Sequence, residues 1–312
     1  MNDQGSPHPR TFEERLRAGR FVMTAEVVPP LSCDAQDLIR KAAPLRGLAD
    51  AVNVTDGAGA RAHMGALAAA AILIGAGIEP ILQVACRDKN RIALQGELMG
   101  AAALGVRNLL LLTGDNPQAG DQPETKPVFD LDARALIDTA RRLREEAALP
   151  TGRKVAGKAA FFIGAADAPV DPPPGWRPAG LLAKVAAGAQ FVQTQFCMDA
   201  AIVRRYVGAL ADAGLARGRP AILIGVNPLH SAKSARWMLH HLYGTIIPEA
   251  LIGRLEQASD PAREGVRICV ELIEELSTIP GIAGVHVMAP GNDAAIPDVL
   301  KAAHKRVANV AG

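Results

Sequence analysis

Polar side chains recur at the ends of apolar runs that the sequence predicts as β-strands. Glu26 lies inside the first of these runs, between valines and just before Pro29 and Pro30. A carboxylate in such a position is either an ion-paired core group or a carboxylic acid that burial keeps protonated, and the absence of a basic residue from its own strand favours the acid. A carboxylic acid of this kind can donate a proton in catalysis.

Further polar residues stand at or near the ends of other predicted strands. Gln193 and Gln195 are two residues apart, so both face the same side of one strand. Uncharged amides suit the edge of a heterocycle better than a phosphate or a sugar acid, because an amide offers a donor and an acceptor without a charge. The sequence therefore predicts a polar pocket, to which the following residues also contribute: Thr55, Asp56, Gln83, Gly114, Asp115, Asn227 and His286.

These residues come together if strands and helices alternate around a closed sheet. Short β-rich runs do alternate with amphipathic helical patterns, as in a (β/α)8 TIM barrel, whose active sites form at the carboxyl ends of the strands. A doubly wound sheet uses the same alternation, so the count of elements does not separate the two folds. We expect strands at residues 21–28, 50–55, 80–86, 108–114, 158–164, 191–196, 221–226 and 284–289.

We predict one α/β domain, a (β/α)8 TIM barrel that comprises residues 1–312, with a flexible segment over residues 1–18. The stretch between Pro228 and Pro280 carries helical patterns and no strand pattern, so extra helices are expected between strands 7 and 8. The proline-rich stretch 168–178 directly follows a predicted strand, where a barrel places a functional loop.

Two stretches resemble nucleotide-binding motifs. Residues 57–62 spell GxGxxA after a strand, with Glu79 about twenty residues further on, which is the pattern of a dinucleotide-binding loop. That loop normally opens the first βαβ unit, whereas a strand and a helix precede it here, so we favour a glycine-rich loop before a helix and keep a Rossmann dehydrogenase as the alternative. Residues 152–158 match GxxxxGK by chance, because the hydroxyl residue that ligates magnesium is missing.

Composition argues against several functional classes. Hydrophobic residues make up 49% of the chain and the net charge is +2, which gives no case for binding nucleic acid or a membrane surface. No apolar stretch is long enough to span a bilayer, and the polar start lacks a secretory signal, so we expect a cytoplasmic protein with reduced cysteines. The spacing of histidine and cysteine predicts no metal site. A homo-oligomer is compatible with the sequence.

Five stretches carry a resemblance to a known family. They are TAEVVPP, VNVTDGAG, ACRDKNRIALQGELMGAAALGVRNLLLLTGD, FVQTQFCMD and GVNPL, which are spread over nearly the whole chain. In this order they resemble the methylenetetrahydrofolate reductase family. The resemblance implies a (β/α)8 barrel that reduces a small-molecule substrate, 5,10-methylenetetrahydrofolate, to 5-methyltetrahydrofolate in one-carbon and methionine metabolism. NADH or NADPH supplies the electrons, and FAD relays them.

The resemblance also implies roles for individual residues. Glu26 matches the general acid that protonates N10 of the folate. Asp115 and Gln195 match residues that bind the pterin, and we expect Gln83 and Asn227 to join them. The positions expected to bind the cofactor are Thr55, Ala58, Thr113, Gly114 and Lys184.

Several family positions carry other residues in this chain. Thr113 stands in place of an arginine, Ala232 in place of a stacking phenylalanine, and Asn292 in place of an arginine that meets the substrate's tail. In a set that grips the flavin phosphate, Lys184 is kept, while Gly180 and Ala183 replace the other two members. Each lost charged contact to phosphate forfeits about 1.5–3 kcal/mol. We therefore expect FAD to bind weakly or through residues 172–178, or hydride to pass directly from NAD(P)H to the folate. A folate-binding barrel methyltransferase and a non-catalytic folate-binding subunit are the alternatives.

Overall fold

Parallel strands form a closed barrel in the computed structural model, which describes residues 11–215 and 219–310. Each strand pairs with the next one along the chain, and the last strand pairs with the first. The closed sheet confirms the predicted (β/α)8 barrel and excludes a doubly wound sheet, whose edges stay open. The strands are β1 (Val22–Val27), β2 (Ala51–Val54), β3 (Pro80–Ala85), β4 (Asn108–Leu112), β5 (Phe162–Asp167), β6 (Phe191–Phe196), β7 (Ala221–Val226) and β8 (Ile282–Val287).

Helices surround this barrel, and many of them begin at a capping side chain. Asn90 and Asp199, for example, each accept hydrogen bonds from two backbone N–H groups of the following first turn. The helices are α1 (Phe12–Arg17), α2 (Ala35–Ala42), α3 (Ala66–Gly75), α4 (Arg91–Ala103), α5 (Ala133–Glu145), α6 (Ala179–Ala187), α7 (Ala200–Asp212), α8 (Ala232–His241), α9 (Glu249–Gln257), α10 (Pro261–Ser277) and α11 (Ile296–Val310). Helices α8, α9 and α10 all lie between β7 and β8, which confirms the extra helices expected there.

The apolar core has an outer and an inner part. Every residue of β3 and of β7 is buried, because helices cover one face of the strand and the barrel interior covers the other. The outer part packs between the barrel and its helices, and the inner part fills the end of the barrel where the strands begin. Within residues 11–215 and 219–310, no helix is both long and apolar enough to cross a membrane.

Helix α1 covers the inner part of the core at the end of the barrel where the strands begin. Phe12 is fully buried, and its ring centroid lies 5.8 Å from that of Phe162 and 5.3 Å from that of Phe191. The Phe12 backbone N–H donates a hydrogen bond of 3.0 Å to Glu79 Oε2. The predicted flexible segment over residues 1–18 therefore does not fit residues 11–18, because a capping box and a buried ring hold them in place; residues 1–10 lie outside the described part.

The predicted bounds of strand β5 need a correction. The apolar run suggests residues 158–164, whereas the strand is Phe162–Asp167. Ala159 and Phe161 precede the strand and pack into the outer part of the core from the connecting segment. The apolar run therefore marks buried residues here, but it does not mark where the strand begins. The strand begins where Phe162 pairs with Asn108 of β4.

Candidate active site

A buried polar layer crosses the barrel interior above the apolar inner core. It consists of Thr24 of β1, Asn53 of β2, Gln193 of β6 and His286 of β8, each at most 2% exposed. Gln193 Nε2 donates to Thr24 Oγ1 at 3.0 Å and to Asn53 Oδ1 at 3.1 Å, while Asn53 Nδ2 donates to Gln193 Oε1 at 2.6 Å. Thr24 Oγ1 lies 3.0 Å from His286 Nδ1. Such a layer is rigid, because other arrangements leave buried polar groups unpaired.

Glu26 stands one step nearer the strand ends and opens to solvent. Its Oε2 lies 3.8 Å from His286 Nε2 and accepts a long hydrogen bond of 3.5 Å from Gln83 Nε2. The Glu26 side chain is 19% exposed, against 3% for His286, so its carboxyl reaches from the buried layer into the mouth of the barrel. The arrangement can hold a proton donor in one orientation and lets it regain its proton from water.

Thr55 carries a buried hydroxyl at the end of β2, the strand beside that of Glu26. The residue is 2% exposed, and its Oγ1 has no hydrogen-bond partner among the residues that the structure describes. A buried hydroxyl left unpaired costs about 1–3 kcal/mol. A ligand in the mouth that bonds this hydroxyl would recover that free energy.

The loops after β2 and β4 meet at the rim of the mouth. Asp115 Oδ2 accepts a hydrogen bond of 3.1 Å from the Gly59 backbone N–H. Gly114 has a φ of +99°, and a Cβ at this position would lie 2.9 Å from Arg87 Cβ, so the turn before Asp115 requires glycine. The rim thus brings the predicted residues Ala58, Thr113, Gly114 and Asp115 together, and the glycine-rich loop contacts the Asp115 side chain.

The predicted amide side chains of β6 and β7 lie in different surroundings. Gln195 Nε2 donates to the Tyr243 backbone carbonyl at 3.2 Å, and its Oε1 accepts from the Phe196 N–H at 3.0 Å. This amide lies at the rim and has to turn in order to meet a ligand. Asn227 is 2% exposed, with its Nδ2 3.8 Å from Met238 Sδ of α8. The Asn227 side chain therefore lies against α8.

Residues 11–304 match the family model for methylenetetrahydrofolate reductase. The chain belongs to the methylenetetrahydrofolate reductase family. A probable methylenetetrahydrofolate reductase (NADPH) of Caenorhabditis elegans is 28% identical over 242 residues, which are 75% of this chain and 33% of the nematode protein. The chain thus spans about a third of the length of this relative.

Two solved structures share the barrel at low sequence identity with this member of the methylenetetrahydrofolate reductase family. An uncharacterized protein from Clostridium thermocellum, which binds two copies of 5-methyl-5,6,7,8-tetrahydrofolic acid, has a TM-score of 0.63 at 13% identity over 95% of this chain and 98% of that one. DmoA from Hyphomicrobium sulfonivorans has a TM-score of 0.55 at 12% identity over 92% and 88%. At these identities the likeness concerns the fold alone.

Methylenetetrahydrofolate reductases generally use a flavin, and the set of residues expected to bind the flavin phosphate has lost two of its polar members in this chain. Lys184 is the lysine that remains of the expected phosphate-binding set, and one of its three N–H donors is bonded to the Ala166 backbone carbonyl at 2.7 Å. The neighbouring Asp167 carboxyl also interacts with this ammonium group. Gly180 and Ala183 stand on the same helix and have no donor side chains. Lys184 is therefore the one member of this set that can offer a charged contact to a phosphate.

The proline-rich loop lies against the outer wall of the barrel. Asp171 pairs with Arg205 of α7 at 2.7 Å, and Trp176 packs against Tyr206 with ring centroids 6.0 Å apart. An open cavity of about 480 Å³ between the loop and α7 extends to Asp212, the last residue of that helix. Because α7 begins at the strand carboxyl ends and runs away from them, this cavity lies along the side of the barrel. The position of residues 172–178 gives no support to flavin binding through this loop.

Two buried cysteines lie beside the mouth and supply no thiolate. Cys86 follows β3 and Cys197 follows β6, and both are free. Burial raises the pKa of the Cys86 thiol to about 11 and that of the Cys197 thiol to about 12. Both thiols therefore stay protonated at neutral pH and are poor nucleophiles. Among the described residues, no group of three or more His, Cys, Asp or Glu side chains is arranged to hold a metal ion.

Sequence reasoning missed several residues around the site. Thr24 and Asn53 stand two residues before Glu26 and Thr55, so the alternation of a strand is the signal that places them in the interior. Arg87 and Lys89 belong to the ACRDKN stretch, where nothing in the spacing marks their contacts. Arg87 contacts Asp88 and Gly57, and Lys89 contacts Asp56 and Glu97.

Proposed function

We propose that this protein reduces 5,10-methylenetetrahydrofolate to 5-methyltetrahydrofolate with NADH or NADPH as the electron donor. The observation that carries the proposal is the position of Glu26, a partly exposed carboxyl in the barrel mouth that contacts Gln83 and His286 above a bonded polar layer. Family membership supports the same chemistry. Two names agree with it: the nematode relative is described as NADPH-dependent, and the Clostridium protein as a binder of methyltetrahydrofolate.

Glu26 is the general acid in this proposal. It donates a proton to N10 of the substrate, the bond between N10 and the bridging carbon breaks, and an iminium forms at N5. Hydride from the nicotinamide adds to that carbon, which yields the methyl group and NAD(P)⁺. Gln83 and His286 both contact Oε2 of Glu26, so we assign the proton transfer to Oε1. The partly exposed carboxyl then regains a proton from water, and one proton is consumed in each turnover.

The rim residues hold the pterin in this proposal. Asp115 accepts hydrogen bonds from the pterin edge, and Gln195 exchanges its bond with the Tyr243 carbonyl for one with the ligand. Thr55, which the resemblance assigns to the cofactor, offers its unpaired hydroxyl to the nicotinamide. Because a carboxylate and an amide together offer both acceptors and a donor, they match the mixed edge of a pterin.

We further propose that hydride passes directly from the nicotinamide to the folate. The support is the absence of donor side chains at Gly180 and Ala183, which leaves Lys184, bonded once to the Ala166 carbonyl, as the one charged side chain of this set. For each charged contact that is missing, a flavin loses about 1.5–3 kcal/mol of binding free energy. Tight flavin binding is therefore not expected.

The test is oxidation of NADH and of NADPH by the purified protein with 5,10-methylenetetrahydrofolate, with and without added FAD. Turnover without FAD, with deuterium from [4-²H]NADH retained in the product methyl group, is the expected result. Turnover only with FAD, with the label lost to water, would support the reductase and overturn direct transfer. Binding of folate without turnover under either condition would favour the methyltransferase or the non-catalytic subunit.

A further inference from the structure

A buried arginine lies beneath the rim that carries Asp115. Arg87 follows β3 and is 4% exposed. Its Nε and Nη2 donate to the two carboxylate oxygens of Asp88 at 2.8 and 2.7 Å, and its Nη1 donates to the Gly57 carbonyl at 3.2 Å. These three bonds fix the plane of the guanidinium, because its N–H groups form a rigid fork.

The same side chain packs against the loops that follow β2 and β4. A Cβ on Gly57 would collide with Arg87 Nη2, and a Cβ on Gly114 would lie 2.9 Å from Arg87 Cβ. The Arg87 backbone carbonyl also accepts a hydrogen bond of 2.7 Å from the Val128 N–H, later in the connection after β4. The conformations of these loops therefore depend on Arg87 filling the space between them.

Asp115 shares its surroundings with this guanidinium. The bond with Asp88 is the main cause that raises the pKa of Arg87; burial opposes the rise, and the Asp115 and Asp56 carboxylates add to it. Asp56 is itself paired with Lys89 at 2.7 Å, whereas Asp115 is bonded to the Gly59 N–H in the loop that Arg87 holds through Gly57. Arg87 thus acts on Asp115 both as a counter-charge and through the loop.

We propose that Arg87 is a positioning residue that keeps the Asp115 carboxylate oriented toward the folate. This inference rests on the proposed function, which gives Asp115 its ligand. If Arg87 loses its charge, the loop at Gly57 is released and the exposed Asp115 carboxylate loses its fixed orientation. Lysine in its place keeps the charge but cannot bond both oxygens of Asp88 and the Gly57 carbonyl at once.

The test compares Arg87→Gln and Arg87→Lys with the matched control Arg91→Gln. Arg91 is another arginine with paired contacts to a single carboxylate, Asp130, but its side chain is 59% exposed and its hydrogen bonds are to Asp130 and not to the loop at Gly57. We expect Arg87→Gln to raise the Kd for 5-methyltetrahydrofolate and the KM for the substrate by about 10–100-fold, because the hydrogen bond between the charged Asp115 carboxylate and the folate is lost. We expect kcat to change by less than about threefold, and Arg91→Gln to change none of these values.

A double-mutant cycle with Asp115→Asn separates positioning from a general structural effect. If Arg87 acts through Asp115, Arg87→Gln raises the Kd by less than about twofold in the Asp115→Asn background. Independent, multiplicative effects would overturn the inference. Where Arg87→Gln does not fold, Arg87→Lys takes its place in the same cycle, with an expected increase of about three- to tenfold in the Kd on its own.

Hydrogen exchange without any folate keeps this inference distinct from the proposed function. We expect the Gly59 amide, which donates to Asp115, to exchange at least about tenfold faster in the Arg87 variants and to be unchanged in Arg91→Gln. An unchanged Gly59 amide in the Arg87 variants overturns the positioning role. A wild-type protein that neither binds 5-methyltetrahydrofolate nor turns over would refute the proposed function, while the exchange result would still decide whether Arg87 holds this loop.

Discussion

Replacing Glu26 with glutamine tests proton donation with little disturbance of the fold. Glutamine keeps the shape of the side chain, and the contacts that it would alter, 3.5 Å to Gln83 and 3.8 Å to His286, are long. The expected loss of unfolding free energy is therefore below about 1 kcal/mol. The amide cannot supply the proton to N10 of the folate. Loss of a general acid lowers the rate by about 10²–10⁴, which corresponds to about 2.7–5.5 kcal/mol of activation free energy.

The assay is steady-state oxidation of NADH with 5,10-methylenetetrahydrofolate, together with calorimetric binding of 5-methyltetrahydrofolate. In Glu26→Gln we expect kcat to fall by the factor given above, while the Kd changes by less than about threefold. Glu79→Gln is the matched control, because Glu79 lies at the opposite end of the barrel, bonded to Asn108 and Phe12. It should lower stability and leave kcat unchanged. A Glu26→Gln protein with kcat within about fivefold of the wild type would refute our assignment of the acid.

Three further changes probe the support of the site. Phe12→Ala should lower the free energy of unfolding in urea by about 3–5 kcal/mol, because the ring is fully buried, and should leave kcat unchanged where the protein is folded. Tyr206 donates a hydrogen bond to Asp167, and burial raises the pKa of this carboxyl above 3.8. Above that pH the folded state therefore holds a proton that the unfolded state has lost, and stability falls as the pH rises through and above 3.8. Tyr206→Phe removes a contact that lowers this pKa, so urea unfolding between about pH 4 and pH 8 should show a larger fall than in the wild type. Lys184→Ala should cost about 1–3 kcal/mol of stability through its lost bond to the Ala166 carbonyl. It should leave turnover without FAD unchanged, and a loss confined to FAD-dependent turnover would contradict our account of this lysine.

The barrel can be predicted from this sequence because each strand is covered on both faces and appears as a short apolar run. For β6 and β7 the predicted bounds coincide with Phe191–Phe196 and Ala221–Val226. Strand β5 differs, because Ala159 and Phe161 are apolar for packing in a connecting segment. Hydrophobicity reports burial, and only pairing with a neighbouring strand sets the register.

The interior of the site can be predicted to the extent that it follows strand alternation. Glu26 of β1 and Gln83 of β3 are both expected in the polar pocket, and they meet because both are inward-facing positions of the strands on either side of β2. Asn227 comes after the end of β7, where alternation no longer applies, and its side chain lies against α8. The hydrogen bond between Gly59 and Asp115 joins two loops. The conformation of a loop cannot be predicted from the hydrophobic repeat of two residues in a strand or of 3.6 residues in a helix.

The polar layer within the barrel explains why Glu26 can hold one orientation at a partly exposed mouth. Apolar side chains at Thr24, Asn53 and Gln193 would fill the same interior without needing any hydrogen bonds, and would leave His286, a contact of the Glu26 carboxyl, without its partner Thr24. The layer instead ties Gln193 to Thr24 and Thr24 to His286, whose other ring nitrogen faces Glu26 Oε2. Because these groups are buried, a rotation of His286 would leave its Nδ1 without the Thr24 contact at a cost of about 1–3 kcal/mol, while the Thr24 hydroxyl would keep the Val285 carbonyl at 3.3 Å. The orientation of the proposed acid therefore depends in part on residues that lie below the mouth of the barrel.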